Sequence, residues 1–370
     1  MLNKTSDRLI TIDLIRGLFL IVIIIDHLQK FPGVFDIITG RGILWVSAAE
    51  GFFFVSGLML GYVRGNKDMS KPFKQVSYKL FKRAGVLYAW SIGLTLIFTV
   101  FAFMFQHYTG LKQGAAFNLP IPQLIKEIVT FWYVYGWADF LQYYAGFVFV
   151  SPLAIYLLRK NLWYVLITLT VSIWYFSGNN IFLGWQLLFF GGSIVGFYLT
   201  DIELFAHNIP RHLKQNTKYI LVLLAIITYI ISLILVFGSE YSGSIWLQRL
   251  RISPIIIDKI QYYRTLTAPY FDKNSLPLPR LATFLLWFSA LYILTKRYQK
   301  VIVNNVGSFL IPFGQNSLYV YIVHAFFIFF VTLLFPGKYN VIVNLCIEVA
   351  VISSLWLMLR RQFLFKLVPR

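Results

Sequence analysis

The sequence predicts an all-α integral membrane protein, a bundle of about ten transmembrane helices with both termini in the cytoplasm. Three observations point there. Charged residues are 13% of the 370 and hydrophobic ones 58%, whereas a soluble globular chain carries roughly 25% charged residues. Apolar runs long enough to span a bilayer recur along the whole chain, with a mean hydropathy of +0.70. Lysine and arginine collect in alternate connecting segments, as the positive-inside rule requires of cytoplasmic loops.

The runs lie near 10–28, 45–64, 84–105, 140–158, 162–177, 183–200, 218–237, 280–296, 313–334 and 340–359. Each must be helical, because backbone groups in lipid have to be satisfied within the segment. The first follows Lys4 and Arg8, which could mimic a secretory leader. It carries Asp13 and Arg16, continues to His27 and lacks a small-residue cleavage site, so it reads as a retained helix. The second and third are joined by the most basic segment, with Arg64, Lys67, Lys71, Lys74, Lys79, Lys82 and Arg83, which places that segment in the cytoplasm. The fifth run is short, yet omitting it would invert every later loop and spoil the charge bias. Arg360, Arg361 and Lys366 then put the C-terminus on the same side as the N-terminus.

No internal repeat or low-complexity stretch divides the chain, so residues 1–370 read as one domain. The net charge of +19 is absorbed by the loop bias, and no basic unit stands apart from the helices, which excludes nucleic acid as a partner and leaves the lipid bilayer. Cys346 is the one cysteine. It rules out an intrachain disulfide or a cysteine-built metal site, and inside an apolar run it reads as a small core residue. No metal or flavin motif is present, so no bound metal or cofactor is expected. Two long outer loops remain. Loop 106–139 ends in Trp132, Tyr133, Tyr135 and Trp137, and loop 238–279 carries Trp246, Tyr262, Tyr263 and Tyr270. Such rings suit interfacial anchoring, and equally a platform for sugar rings.

Chemistry concentrates in the first helix. Arg16 and His27 are eleven residues apart, which returns to nearly the same helical face about 16 Å further along the axis. Asp13 precedes Arg16 by three and shares that stripe, while Asp26 points about 100° away from His27. Ionisable groups in a membrane helix are costly unless paired or facing a polar cavity, so they mark candidate sites. A structural Asp13–Arg16 pair near the interface and a headgroup-level His27 fit the same residues. Glu50 opens the second helix at about the depth of His27, where a carboxylate would fix the tautomer of the ring and raise its basicity. A helix-start acid favoured by the dipole is the alternative. Gln186 and Asn316 suit interhelical hydrogen bonding, His324 a cavity wall, and Glu348 a pairing with His324 or Arg16. Gly57 and Gly61 mark close helix packing.

The Arg-x10-His spacing of Arg16 and His27 resembles the first-helix hallmark of the integral-membrane acyltransferases, proteins of around ten helices that acylate sugars, peptidoglycan or lipids. Three segments resemble the OpgC branch, the succinyltransferases of periplasmic glucans: Ile12 to Gly17 with Asp26-His27, Ala48-Ala49-Glu50 through Ser56-Gly57, and Trp185-Gln186-Leu187-Leu188-Phe189. The stretch from Gly314 to Tyr321, followed by His324, is similar to a late-helix motif of the superfamily. The resemblance implies that His27 is essential to acyl transfer and that Arg16 supports the donor site. It also implies a bacterial cytoplasmic (inner) membrane as the location. Outer loop 238–279 falls outside these motifs and is a place for substrate choice to reside.

Together these features lead to an expected membrane-embedded O-acyltransferase. An acyl group, succinyl or acetyl, would pass from a cytoplasmic acyl-CoA-type thioester to a hydroxyl of an extracytoplasmic glycan through a polar cavity along the first helix. His27, Glu50 and Arg16 are the expected catalytic residues, and Asp13, Asp26, Gln186, Asn316 and His324 the expected substrate or donor contacts. The alternative is a transporter or flippase of a glycan or lipid precursor, with the same ionisable residues as a proton relay.

Overall fold

The computed structural model describes residues 9–105, 118–240, 253–337 and 339–369, and among them there are helices and no strand. Each of the ten apolar runs contains a helix. In chain order the principal ones are α1 (Ile10–Leu28), α2 (Ala48–Leu60), α3 (Phe73–Met104), α4 (Asp139–Arg159), α5 (Trp163–Tyr175), α6 (Ile181–Phe197), α7 (Arg211–Glu240), α8 (Leu278–Arg297), α9 (Ser308–Gln315), α10 (Ser317–Leu334) and α11 (Val341–Arg360). Lys4, Arg8 and Trp246 lie outside the described residues.

The chain is a multi-pass membrane protein, and among the described residues six helices are long and apolar enough to cross by length and composition: α3, α4, α7, α8, α10 and α11. A seventh is added if α6 and the following helix Leu199–Asn208, bent by 63°, count as one. The shortfall from ten has physical causes. The α1 helix carries Asp13, Arg16 and Asp26 within 19 residues. The α-helical part of α2 is 13 residues, continued by a π-helical stretch over Gly61–Lys67, and α5 is 13 residues.

Two glycine contacts build the core. A Cβ on Gly57 of α2, or on Gly61 at the start of the π-helical stretch that continues it, would strike the backbone carbonyls of Phe189 and Ser193, and a Cβ on Gly192 or Gly196 of α6 would strike those of Phe54 and Leu58. Small residues on both partners thus let the two backbones touch, which is how helices associate where lipid removes the hydrophobic drive. The same device joins α1 to α9, with Gly17 against Leu310 and Gly314 against Asp13. At Asn316 the backbone leaves the helix (φ −117°, ψ 40°), and its amide donates to the Pro312 carbonyl at 2.9 Å. That break separates α9 from α10.

The periphery is lipid-like in character. Only 17% of the apolar window of α7 is buried, and Ile220, Leu223, Ile227, Ile231 and Ile234 are exposed along it. Cys346 is exposed on α11, not in the core as expected, because that helix buries the face of Asn344, Ile347, Glu348 and Val351 instead.

Candidate active site

His27 occupies the last turn of α1, which ends where Gln29 adopts a left-handed φ of 51°. Its ring lines a chamber of about 260 Å³ shared with Phe52, Phe53, Asp139, Tyr143, Trp185, Lys273 and Asn274. The Nδ1 of His27 lies 3.2 Å from Nε2 of His324, and the two ring planes, 21° apart, meet edge to edge with centroids 5.5 Å apart. His324 is buried behind His27, and its Nδ1 lies 2.5 Å from the Tyr321 carbonyl one turn earlier in α10.

Glu50 does not orient His27. Its carboxylate is fully buried and accepts from Nε of Arg280 at 2.7 Å and from a terminal nitrogen of the same guanidinium. It also reaches back to the Ser47 N–H at 3.1 Å and to the Ser47 hydroxyl, which closes the N-terminus of α2. Arg280 is itself buried three residues into α8, where the desolvated charge needs a partner and takes this one. The position of Glu50 at the start of a helix was legible. The long-range partner, 230 residues away, was not.

This ion pair holds a strap. Arg280 donates to the Phe271 carbonyl at 2.6 Å, and Trp45 stacks flat on Phe271 with centroids 4.1 Å apart. Trp185 donates through Nε1 to the Lys273 carbonyl at 3.0 Å, and Trp174 to that of Leu276 at 2.9 Å. Within the strap the Asp272 carboxylate accepts from the Asn274 and Ser275 N–H groups and the Ser275 hydroxyl. Partial burial pushes this carboxyl up, but those hydrogen bonds outweigh it and hold it below the usual carboxylate range. The strap is what brings Lys273 and Asn274, from the long loop 238–279, to the wall of the chamber.

Arg16 lines a second cavity, of about 550 Å³, together with Ser56, Arg64, Lys79, Lys82, Arg83 and Tyr144. The two cavities share no lining residue. Between them stands Phe52, whose ring lines the histidine chamber and lies 5.8 Å from the Arg16 guanidinium carbon. Phe140 packs edge-on against Phe52 at 5.1 Å, and Tyr144 lies 6.2 Å from Phe140. The expected single channel along α1 is therefore two polar spaces divided by aromatic rings.

A model of the OpgC protein family matches residues 8–366, nearly the whole chain. The chain belongs to the OpgC family. Membership points to a membrane acyltransferase-type role in glucan modification. No curated protein and no solved structure matches this OpgC-family chain.

The remaining expected site residues of the OpgC-family chain fall into two groups. Of these, His324 alone joins His27 directly. Asp13 is buried where α1 meets α9, with the Gln315 amide 3.5 Å from its carboxylate. Asp26 turns toward the segment after α1, where its carboxylate lies beside Gly42. The Gln186 amide donates to the Thr170 carbonyl at 2.7 Å, tying α6 to α5. Asn316 serves its own helix break. Glu348 is buried against Gly33, apart from both His324 and Arg16. Lys273, Asn274, Asp139, Tyr143 and Arg280 were missed. The first two sit in a loop without periodicity, and a cation in an apolar helix start was the one available sign for Arg280.

Proposed function

We propose that this chain is a membrane-embedded O-acyltransferase that moves an acyl group from a cytoplasmic thioester to a hydroxyl of an extracytoplasmic glycan. The observation that carries the reading is the pair of polar cavities strung along α1, one with a histidine base and one with five cationic side chains. Ten crossings, both termini in the cytoplasm and a bacterial inner membrane complete the proposal. They put the Arg16 cavity at the cytoplasmic end and the His27 chamber at the outer end.

The donor is a thioester such as an acyl-CoA. Its phosphates fit the basic cavity, because guanidinium and ammonium groups bind phosphate as fork and point charge respectively. Arg16 and His27 are separated by about 16 Å along the helix axis, a span that an extended carrier arm covers past Phe52. The acceptor sugar fits the histidine chamber, where Trp185 and Tyr143 offer faces for C–H stacking and Asp139, Lys273 and Asn274 offer polar contacts.

In the transfer step His27 takes the proton of the acceptor hydroxyl as its oxygen attacks the thioester carbonyl. The C–O bond forms, the C–S bond breaks, and the departing thiolate recovers the proton from the imidazolium. Every atom is balanced with no further reactant.

The test is a comparison of strains lacking the native copy and expressing either this protein or its His27→Ala variant. Mass spectrometry of extracted glycans and surface polymers is expected to show an added acyl mass only with intact His27. Identical spectra from two well-expressed, folded proteins would reject glycan acylation and favour carriage of a glycan or lipid precursor.

A further inference from the structure

We infer that His324 is a positioning residue that sets the tautomer of His27, leaving Nε2 of His27 as the atom that takes the proton of the acceptor. The inference rests on the acyl-transfer reading and adds to it a specific hydrogen-bond order.

The order follows from one carbonyl. A carbonyl oxygen only accepts, so the 2.5 Å contact between His324 Nδ1 and the Tyr321 carbonyl places a hydrogen on that Nδ1. A neutral imidazole carries one hydrogen, so Nε2 of His324 is bare and accepts. The atom facing it at 3.2 Å is Nδ1 of His27, which must then be the donor. The remaining nitrogen of His27, Nε2, holds a lone pair. His27 is a wall of the chamber and His324 is not, so the ring behind is spent on orientation and the ring in front is exposed to substrate. Among the described residues neither ring is hydrogen-bonded to a carboxylate, so two neutral rings satisfy the arrangement. Backbone carbonyl, second histidine and base thus form a relay in which a buried imidazole takes the place that a carboxylate holds in other histidine-based sites.

The relay also has a place for the charge. When His27 accepts the proton of the acceptor at Nε2, its Nδ1–H strengthens its bond to His324. The resulting imidazolium is stabilised through His324 by the Tyr321 carbonyl. The proton returns to the thiolate from the same Nε2, so the His27–His324 bond is intact at the end of the cycle.

Three variants and one spectrum test this. His324→Ala is expected to lower kcat by about a hundredfold or more, the range that a correctly placed base contributes, with KM for the donor unchanged. His324→Gln is expected to recover much of the rate, since its terminal oxygen accepts from the Nδ1–H as the native Nε2 does. Nitrogen-15 spectra of histidine-labelled protein, with the His27→Ala spectrum subtracted, are expected to show His27 protonated at Nδ1 in the native protein and redistributed between tautomers in His324→Ala. A native His27 protonated at Nε2 would overturn the inference, and so would a His324→Ala enzyme of native kcat. An active His27→Ala variant would instead reject the acyl-transfer reading itself, which keeps the two failures distinct. Should His324→Ala fail to fold, the native spectrum and His324→Gln still decide.

Discussion

Glu50 shows how far a residue's neighbourhood in sequence is from its neighbourhood in the fold. A carboxylate at the depth of His27 is a natural partner for its ring, yet Glu50 pairs with Arg280, and a second histidine stands where the acid was expected. Removing one member of a buried pair leaves the other charge without compensation, so Glu50→Gln or Arg280→Met alone is expected to cost about 3–5 kcal/mol of stability. The apolar double variant Glu50→Leu with Arg280→Met should regain much of that, as read by thermal unfolding in detergent. Its activity should stay low, because the strap carrying Lys273 and Asn274 loses its Arg280–Phe271 anchor. Recovery of full activity in the double variant would show that the strap holds without the pair.

At the scale of elements, the helix pairs that matter most are those in backbone contact. Gly57 and Gly61 were readable as a small-residue pair, and the structure supplies the partners in Gly192 and Gly196. The α2–α6 contact positions Phe52, Phe53 and Trp185, three walls of the histidine chamber, through ring contacts such as Phe53 on Trp185 at 5.2 Å. A side chain at Gly57 meets a carbonyl that cannot move without its helix. Gly57→Val is therefore expected to cost about 1–3 kcal/mol or more and to lower the unfolding temperature, whereas Gly85→Val, where nothing lies within 4 Å, should leave the temperature almost unchanged. Equal effects of the two substitutions would remove close packing as the cause. The helix break at Asn316 has the same architectural value, since it lets α9 lie on α1 while α10 carries His324 to His27.

Across the whole molecule, the most basic part of the sequence and one of the two polar cavities coincide. Lys79, Lys82 and Arg83 belong to the most basic segment of the sequence, Arg64 to Arg83, and the same residues line the Arg16 cavity. Under the proposed function one feature thus serves both topology and donor binding. Neutralising the three together is expected to raise KM for a phosphate-bearing donor by roughly tenfold, equivalent to about 1.4 kcal/mol of binding, and to flatten the dependence of that KM on salt. KM for the acceptor should not move. A change confined to acceptor KM would place the donor elsewhere.

The helical runs, the basic bias of their connections, the Arg16–His27 stripe and the glycine pair on α2 were all legible, because each depends on composition or on the 3.6-residue period of a single helix. The number of helices long and apolar enough to cross was not, since charges within α1 and the short α-helical stretch of α2 break the link between an apolar run and a spanning helix. Nor were the pairings that build the chamber. Residues 27 and 324, and 50 and 280, are joined only when helices far apart in the chain pack together, and 185 and 273 only when the strap docks on α6. Their hydrogen bonds depend on distances of about 3 Å, which no local pattern encodes. A buried charge or imidazole announces in the sequence that it needs a partner, and the packing of the bundle selects which one it receives.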